Sequence, residues 1–509
     1  MLEFVTSGVG HGVVRATAGS GKTTTLVQVA ASLPEDLRVC FLAFAKDAAD
    51  ELRSRLPSQV EARTVHSLAR RTLQSYLGRC GMRLQAPEDN KYRALIKAEM
   101  TEVAYGYALP QDALDAAGAY LLELVKFARF NLTQTKDEEA VRKLAVRYNL
   151  TPPEDISLET EVHRRLPTVL RQGHDQALKQ GLIDYTDMLY LPWVLKLKPD
   201  PYDFVCIDEA QDYSALALEF TMRLVGDFGR LLFVGDPRQS IFGFAGADTD
   251  ALDRIIAKTN ATVLPLTVTY RCPTSHVALA QLIAPEIEVS PMAEAGNVYW
   301  IDDRALTKWV FPGTMVLCRM NGPLVVTCLR LVQAKKPAFV RGRDLAAQVR
   351  ELGRKAFRTG FRNPHGKLAH LAQQEEARLR HSLRGHPNTD FLVQQKLDVI
   401  DCLRVLVEEL LETVIPSLES LDQLIERTFS EGKGSVILST VHRAKGKEAE
   451  RVVILYPELM PAGYARTAES VRGEACVQFV ALTRAKRDLV FVATPPKTPP
   501  EDISTQAWR

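Results

Sequence analysis

Cysteine is scarce and poorly placed for metal or disulfide chemistry. The eight residues Cys40, Cys80, Cys206, Cys272, Cys318, Cys328, Cys402 and Cys476 include no C-x-x-C pair, and several sit in apolar runs. That pattern fits neither a zinc site nor a disulfide framework and reads as reduced core thiols of a cytosolic protein. Long hydrophobic runs are also missing: none reaches the roughly 18 residues that span a bilayer. Near the start, Gly8, Gly10, His11 and Gly12 interrupt any signal-peptide core. No excess of charge exists in either sense, because the net charge is +2, so a nucleic-acid footprint must be local rather than global. Internal repeats and low-complexity segments do not stand out. What remains is a cytoplasmic globular protein with 25% charged and 46% apolar residues. Its 509 residues suffice for about three or four structural units.

The most informative feature present is Ala16-Thr17-Ala18-Gly19-Ser20-Gly21-Lys22-Thr23. It follows a short apolar run (Val13, Val14) and precedes a helical pattern (Leu26, Val27, Val29, Ala30), the strand–loop–helix context of a phosphate-binding loop. The strict pattern has glycine where this chain has Ala16. Backbone N–H groups around Gly19 and Gly21 are expected to cradle phosphate oxygens at a helix N-terminus. Residues Ala18, Gly19, Ser20, Gly21, Lys22, Thr23 and Thr24 form the expected nucleotide cradle. Lys22 would reach the β- and γ-phosphates, and the Thr23 hydroxyl would ligate Mg²⁺. Almost two hundred positions later, Val205-Cys206-Ile207-Asp208-Glu209 reads as a strand ending in two acids. Asp208 would hold Mg²⁺, directly or through water, and Glu209 would polarise the attacking water. The two motifs together point to binding and hydrolysis of a nucleoside triphosphate, with ATP and Mg²⁺ as the expected cofactors.

Along the rest of the chain, apolar β-branched runs alternate with helical patterns, which argues for α/β units with parallel sheets. Val39–Phe44, Phe204–Ile207, Leu231–Val234, Val263–Leu266, Met315–Leu317, Val436–Leu438, Val452–Leu455 and Leu489–Val492 read as buried strands. Two stretches break this rhythm and look helical. In 76–184, Leu121, Leu122, Leu124, Val125 and Phe127 form one apolar face; in 346–431, Leu392, Val399, Cys402, Leu403, Val405, Leu406 and Leu410 recur near a 3.6 period. The simplest organisation is two α/β lobes, each with a mainly helical insertion. The Pro-rich segment after Pro495 reads as lying outside the core. Between Lys335 and Arg384 thirteen basic residues face only four acids, Asp344, Glu351, Glu375 and Glu376. This run is either a solvated helical face or a phosphate-backbone contact surface, and Phe357 and Phe361 either stack on bases or pack the insertion.

The motifs resemble, in order, those of the UvrD/Rep group of superfamily 1 DNA helicases, nearest the subset containing the F-box helicases and short phage or bacterial relatives. Phe44-Ala45-Lys46 and Thr64-Val65-His66-Ser67 resemble two short DNA-contact motifs. Gly235-Asp236-Pro237-Arg238-Gln239-Ser240-Ile241-Phe242-Gly243-Phe244 resembles the motif whose glutamine senses the γ-phosphate and whose aromatics stack on bases. Tyr270-Arg271 resembles the pair that stacks on adenine and supplies an arginine to the γ-phosphate. Thr440-Val441-His442-Arg443-Ala444-Lys445-Gly446-Lys447-Glu448 resembles the motif whose glutamate contacts ribose. Val480-Ala481-Leu482-Thr483-Arg484-Ala485 resembles the motif carrying a second arginine finger.

The resemblance implies two RecA-like lobes. The first comprises 1–75 and 185–265, interrupted by helical insertion 1B at 76–184. The second comprises 266–345 and 432–496, interrupted by a short insertion 2B at 346–431, and 497–509 is a tail. It implies catalytic roles for Lys22, Glu209, Gln239, Arg271 and Arg484, with Tyr270, Arg271, Glu448 and Arg484 completing the nucleotide site and Thr23 and Asp208 on the metal. Phe44, Lys46, Thr64, His66, Phe242, Phe244, Thr440, His442 and Lys445 become DNA contacts. The implied activity is ATP-driven 3′-to-5′ translocation on single-stranded DNA with duplex unwinding at single-strand/duplex junctions, by a monomer. The alternative is a translocase that strips proteins from DNA. Three departures stand out: no glutamine precedes the phosphate loop, so reading of the base rests on Tyr270; Phe244-Ala245 replaces a common Trp-Arg; and the second insertion is short.

Overall fold

In a computed structural model, residues 1–43, 45–106, 109–148, 150, 152–153, 155–241, 251–382, 389–413, 415–432, 435–463, 465 and 468–493 are described. The expected DNA contacts Phe44, Phe242 and Phe244 and the Pro-rich tail lie outside these residues. The chain divides into two compact units, the first built mainly from Met1–Ala16 and Gly21–Leu266, the second from Thr17–Ser20, Thr267–His381 and Asn388–Arg509.

The first unit contains strands β1 (Gly12–Ala16), β2 (Val39–Ala43), β3 (Glu61–Thr64), β4 (Tyr202–Ile207), β5 (Val225–Gly235) and β6 (Thr262–Leu266). They form one sheet in the order β3-β2-β4-β5-β1-β6, and every pairing is parallel. β2 is buried along its whole length, as expected for a strand covered on both faces. Between β3 and β4 the chain builds helices Lys91–Gly106, Gln111–Asn131, Glu138–Arg147 and Ile156–Gln180. Asp137 and Asp155 accept hydrogen bonds from N–H groups of the first turns they cap. Leu121, Leu124, Val125 and Phe127 all face the core of this insertion, which is continuous with one face of the sheet.

The second unit contains β7 (Val268–Thr269), β8 (Glu288–Val289), β9 (Asn297–Ile301), β10 (Met315–Cys318), β11 (Ala338–Val340), β12 (Val436–Thr440), β13 (Ala449–Leu455) and β14 (Ala485–Val492). β7 and β8 pair alone, while the others form a sheet in the order β11-β12-β10-β13-β14-β9, again parallel throughout. Helices Arg343–Ala356, Pro364–Ser382, Thr389–Thr413 and Leu418–Phe429 lie between β11 and β12. Cys402, Leu403, Leu406 and Leu410 are buried with the sheet's own apolar face.

This second insertion places five members of the basic run in ion pairs within it. Arg350 and Arg354 meet Asp422, Lys355 and Arg378 share Glu375, and Arg380 bridges Glu376 and Asp390. Phe357 is buried and stacks on Phe361 with ring centroids 4.2 Å apart. These two aromatics therefore pack the insertion rather than offering faces to bases. No helix among the described residues is long and apolar enough to cross a membrane.

Candidate nucleotide and nucleic-acid site

A parallel sheet brings the loops that follow its strands to one edge, where such sheets bind ligands. In the first unit that edge carries Gly21 and Lys22 after β1, Asp208 and Glu209 after β4, and Asp236–Gln239 after β5. Lys46 and Thr64 stand at the ends of the neighbouring β2 and β3. Gly19 and Gly21 adopt left-handed backbone, with φ of 72° and 78°, a region costly for any residue bearing a Cβ. Gly21 precedes helix Lys22–Ser32, and no side chain caps that helix, so its first N–H groups can receive phosphate oxygens. Lys22 and Thr23 are half-buried and Thr24 is exposed. Ala18 and Ser20 are buried, and within the second unit the Gly19 carbonyl accepts the Tyr270 N–H at 2.9 Å.

Asp208 accepts the Glu209 N–H at 2.9 Å. Glu209 itself has φ of 53°, left-handed backbone that a side-chain-bearing residue holds only under constraint. The Gln211 amide, buried at 1% exposure, donates to Glu209 and accepts the Asp236 N–H at 3.1 Å. Asp236 is also buried and accepts from Gln239 Nε2 at 2.6 Å and from the Arg238 N–H at 2.9 Å. Burial raises the Asp236 pKa, against the opposing pull of the Lys22 ammonium. The Thr23 hydroxyl and Asp208 carboxylate are hard oxygen donors suited to Mg²⁺, which binds through one or two carboxylates plus phosphate oxygens and water. Among the described residues no group of three or more His, Cys, Asp or Glu could hold a metal ion.

Other expected contacts have structural occupations. The Thr64 hydroxyl caps helix Val65–Arg79 by accepting the Ser67 N–H at 3.2 Å. His66 is half-buried and its pKa is lowered by burial. Lys46 opens helix Lys46–Arg55 and is exposed.

In the second unit the candidate residues divide between the two ends of the sheet. Thr440 ends β12 and His442 follows it, whereas Glu448 and Arg484 immediately precede β13 and β14. At about 3.3 Å per residue, these ends lie on the order of 20 Å apart along β13. The segment between Thr440 and Glu448, Lys445 included, makes that crossing through one short 3-10 turn at His442–Ala444 and then through Gly446 at φ 76°. The motif's length is thus set by the sheet it traverses. Burial, with the guanidiniums of Arg319 and Arg443, lowers the His442 pKa to about 3. At neutral pH His442 is therefore an uncharged hydrogen-bonding group.

At the other end, Arg271 Nε lies 2.5 Å from Glu448 Oε2, and Lys486 Nζ lies 2.6 Å from Glu448 Oε1. Burial tends to raise the Glu448 pKa, but Lys486 and Arg271 outweigh it and hold the carboxyl below its ordinary value. Arg484 is 1% exposed and donates to the carbonyls of Val480 at 2.9 Å and Lys447 at 3.3 Å. The Tyr270 side chain, by contrast, is 72% exposed. Sequence reasoning assigned no role to Gln211, although it lies in the motif with Glu209, or to Lys486, two positions after Arg484.

The family model described as UvrD/REP helicase N-terminal domain matches residues 2–260, and that described as UvrD-like helicase C-terminal domain matches residues 239–495. F-box DNA helicase protein 1 of Schizosaccharomyces pombe is 23% identical over 501 residues, 94% of this chain and 55% of the yeast protein. DNA helicase II of Haemophilus influenzae is 25% identical over 290 residues, 53% of this chain and 37% of that protein. ATP-dependent DNA helicase UvrD2 of Mycobacterium tuberculosis is 25% identical over 560 residues, covering 96% of this chain and 77% of the relative. The match with the yeast protein thus spans little more than half of that protein's length.

Proposed function

The chain belongs to the UvrD-like helicase family, and from that premise we propose that it is an ATP-dependent DNA helicase moving 3′ to 5′ on single-stranded DNA. The observation that carries this reading is the single edge of the first sheet that gathers Lys22, Thr23, Asp208, Glu209 and Gln239. Lys22 neutralises the β- and γ-phosphates, while Thr23 and Asp208 would hold Mg²⁺, which would supply further charge compensation for the phosphates. Glu209 takes a proton from the water that attacks the γ-phosphorus, as the bond to the ADP oxygen breaks. Arg271 and Arg484 compensate the charge of the transferring group, a contribution of about 10³–10⁵ in rate where arginine fingers have been measured. Tyr270 offers its exposed ring to the base, and Glu448 accepts from ribose.

Strand movement follows if the DNA contacts answer to nucleotide state. The crossing from Thr440 and His442 to Glu448 gives the second unit one continuous segment with a DNA-contacting end and a nucleotide-contacting end. Phe44, Lys46, Thr64, His66, Phe242, Phe244, Thr440, His442 and Lys445 are the proposed track. Phe242 and Phe244 supply stacking worth about 1–3 kcal/mol per base. The protein acts as a cytoplasmic monomer on single-strand/duplex junctions.

ATP hydrolysis measured with and without single-stranded oligonucleotide, with strand displacement from 3′- or 5′-tailed duplexes, tests this. Stimulated hydrolysis with displacement from the 3′ tail is the expected result; hydrolysis indifferent to DNA would overturn the reading. Stimulation without displacement would favour a protein-stripping translocase, for which the short second insertion is the supporting feature. Lys22→Ala is expected to abolish turnover, Glu209→Gln to bind ATP without hydrolysing it, and Phe244→Ala to weaken single-strand affinity while sparing nucleotide binding.

A further inference from the structure

Gln211 occupies a position that the catalytic scheme above leaves without a role. Its amide is buried and its two ends are spent in different places. Nε2 donates to the Glu209 carboxylate, and Oε1 accepts the Asp236 N–H at 3.1 Å. Its main-chain carbonyl accepts the Ser240 hydroxyl at 3.4 Å. The polarity is fixed: turning the amide over would set its NH₂ against the Asp236 N–H and its oxygen against a carboxylate, so only this orientation satisfies both neighbours.

The neighbouring glycine fits the same arrangement. A Cβ on Gly235 would stand 2.6 Å from Gln211 Oε1 and 3.0 Å from the Gln211 nitrogen. Gly235 does not have a positive φ, so the close approach of the amide, rather than a special backbone conformation, explains the absence of a side chain. Beyond Asp236 the chain of bonds continues through its carboxylate to the Gln239 amide. Glu209, Gln211, Asp236 and Gln239 thus form one connected series running into the turn 236–241, and the proposed stacking residue Phe242 is next in sequence.

We propose that Gln211 is a positioning residue that ties the orientation of Glu209 to the 236–241 turn, so that DNA stimulation of ATP hydrolysis passes through this amide. The proposal rests on the helicase reading above. Glu209 starts from constrained backbone and needs its carboxylate fixed to activate water. A shift in the turn moves the Asp236 N–H, the amide follows, and the carboxylate it holds is re-aimed. Misplacement of a catalytic group by about 1 Å costs on the order of 100-fold in rate, so a small movement of the turn is enough to modulate turnover.

Gln211→Met, of similar length but without the amide, is the first test. Nucleotide affinity, read with a fluorescent ATP analogue, and single-strand affinity are expected to stay near wild type. DNA-stimulated turnover is expected to fall by about 10-fold or more towards the unstimulated rate, so that the stimulation ratio collapses. Gly235→Ala, which crowds the amide without removing it, is expected to lower the same ratio.

Gln211→Glu supplies a readout that a purely structural residue would not move. Protonated, the new side chain donates to Glu209 and accepts from Asp236 as glutamine does; ionised, it repels Glu209. Its stimulation ratio is therefore expected to recover as pH falls, relative to wild type. A ratio equal to wild type in Gln211→Met, even with both rates reduced, would overturn the coupling role. So would a Gln211→Glu ratio without the pH dependence, which decides the matter if the methionine variant does not fold. A wild-type enzyme without DNA stimulation would instead remove the helicase reading itself, and that is seen before any variant is compared.

Discussion

The two helical insertions differ in where their charge clusters lie. In the first, exposed pairs such as Lys126–Glu123 and Lys143–Glu139 accompany an ionic cluster at the centre. Lys91 Nζ meets Asp187 Oδ2 at 2.5 Å with both side chains fully buried, and Arg129 forks onto Asp184 at 2.8 Å through each terminal nitrogen. Arg129 also reaches Asp187 at 3.0 Å. The Tyr92 hydroxyl donates to Asp187 at 3.0 Å, and its ring lies 4.1 Å under the Arg129 guanidinium. Lys91 further donates to the Gly173 carbonyl at 2.8 Å, tying three insertion helices to the start of helix Asp187–Val194. In the second insertion the ion pairs lie at the surface, apart from Glu375, which is 3% exposed between the solvent-reaching Lys355 and Arg378. The same chemistry therefore carries different weight: removing one partner strands a charge where water cannot reach it, and costs little where water can.

The largest expected effect follows from emptying the centre of the buried cluster. Asp187→Ala leaves Lys91 and Arg129 without their shared carboxylate and is expected to cost about 3–5 kcal/mol. Hydrogen exchange on the full-length protein should show lost protection in helices Gln111–Asn131 and Ile156–Gln180. Protection equal to wild type would mean that the cluster is not what joins these helices.

The same carboxylate sets a pH dependence. Burial alone would raise the Asp187 pKa, but Arg129 and Lys91 outweigh it and hold it below the ordinary 3.8. A depressed native pKa contributes stability that is complete above pH 3.8 and is lost as pH falls through the native value. The stability difference between wild type and Asp187→Asn should therefore be constant at higher pH and narrow only in strongly acidic solution. A difference that already narrows between pH 5 and 7 would contradict the assignment.

Glu375 is the intermediate case. Its carboxylate is buried, but both cations reach solvent, so Glu375→Gln is expected to cost about 1–2 kcal/mol, read as a lower unfolding midpoint. The Arg271–Glu448–Lys486 cluster is similarly half-exposed but belongs to the proposed nucleotide site. Lys486→Met is expected to raise KM for ATP by about 2–5-fold with little change in kcat, the equivalent of a partly exposed ion pair of about 0.5–1 kcal/mol. A change confined to kcat would place Lys486 in the hydrolytic step instead.

The contrast between the insertions also marks what sequence can carry. A dense basic run such as Lys335–Arg384 is visible by inspection, yet four of its charges, Arg350, Arg354, Lys355 and Arg380, find acidic partners on neighbouring helices. Lys91, Arg129, Asp184 and Asp187 are scattered through unremarkable sequence, and only packing brings them together. The strands divide in a related way. β2, β4, β5, β10, β12, β13 and β14 lie inside their sheets and contain apolar runs that announce themselves. Of the edge strands, β3, β9 and β11 went unread, while β6, read as a buried strand, is largely exposed, Val263 included. β3 is only partly buried over Glu61–Thr64, β9 is mostly half-exposed, and β11 is buried but only three residues long. The phosphate loop and acidic pair were legible because each motif is local. The bond from Gln211 to Asp236 was not, since it joins positions 25 apart in sequence, and neither was the pairing of Arg271 with Glu448.

The smallest expected effect gives the sharpest check on the contrast. Asp422 pairs with Arg350 at 3.1 Å and with Arg354 at 3.2 Å, with side-chain exposures of 35%, 30% and 64% in that order. Water competes for all three groups, so Asp422→Asn is expected to cost about 0–1 kcal/mol. That cost should shrink as salt rises, because exposed charges are screened over about 8–10 Å near physiological ionic strength. The cost of Asp187→Ala should hardly change over the same range, since ions no more enter that cluster than water does. Measuring both variants at low and high salt separates location from chemistry, because each removes one aspartate shared by two cations. If the two costs fell together with salt, the buried cluster would have to be solvated, and the difference between the insertions would lie in the number of hydrogen bonds rather than in access to water.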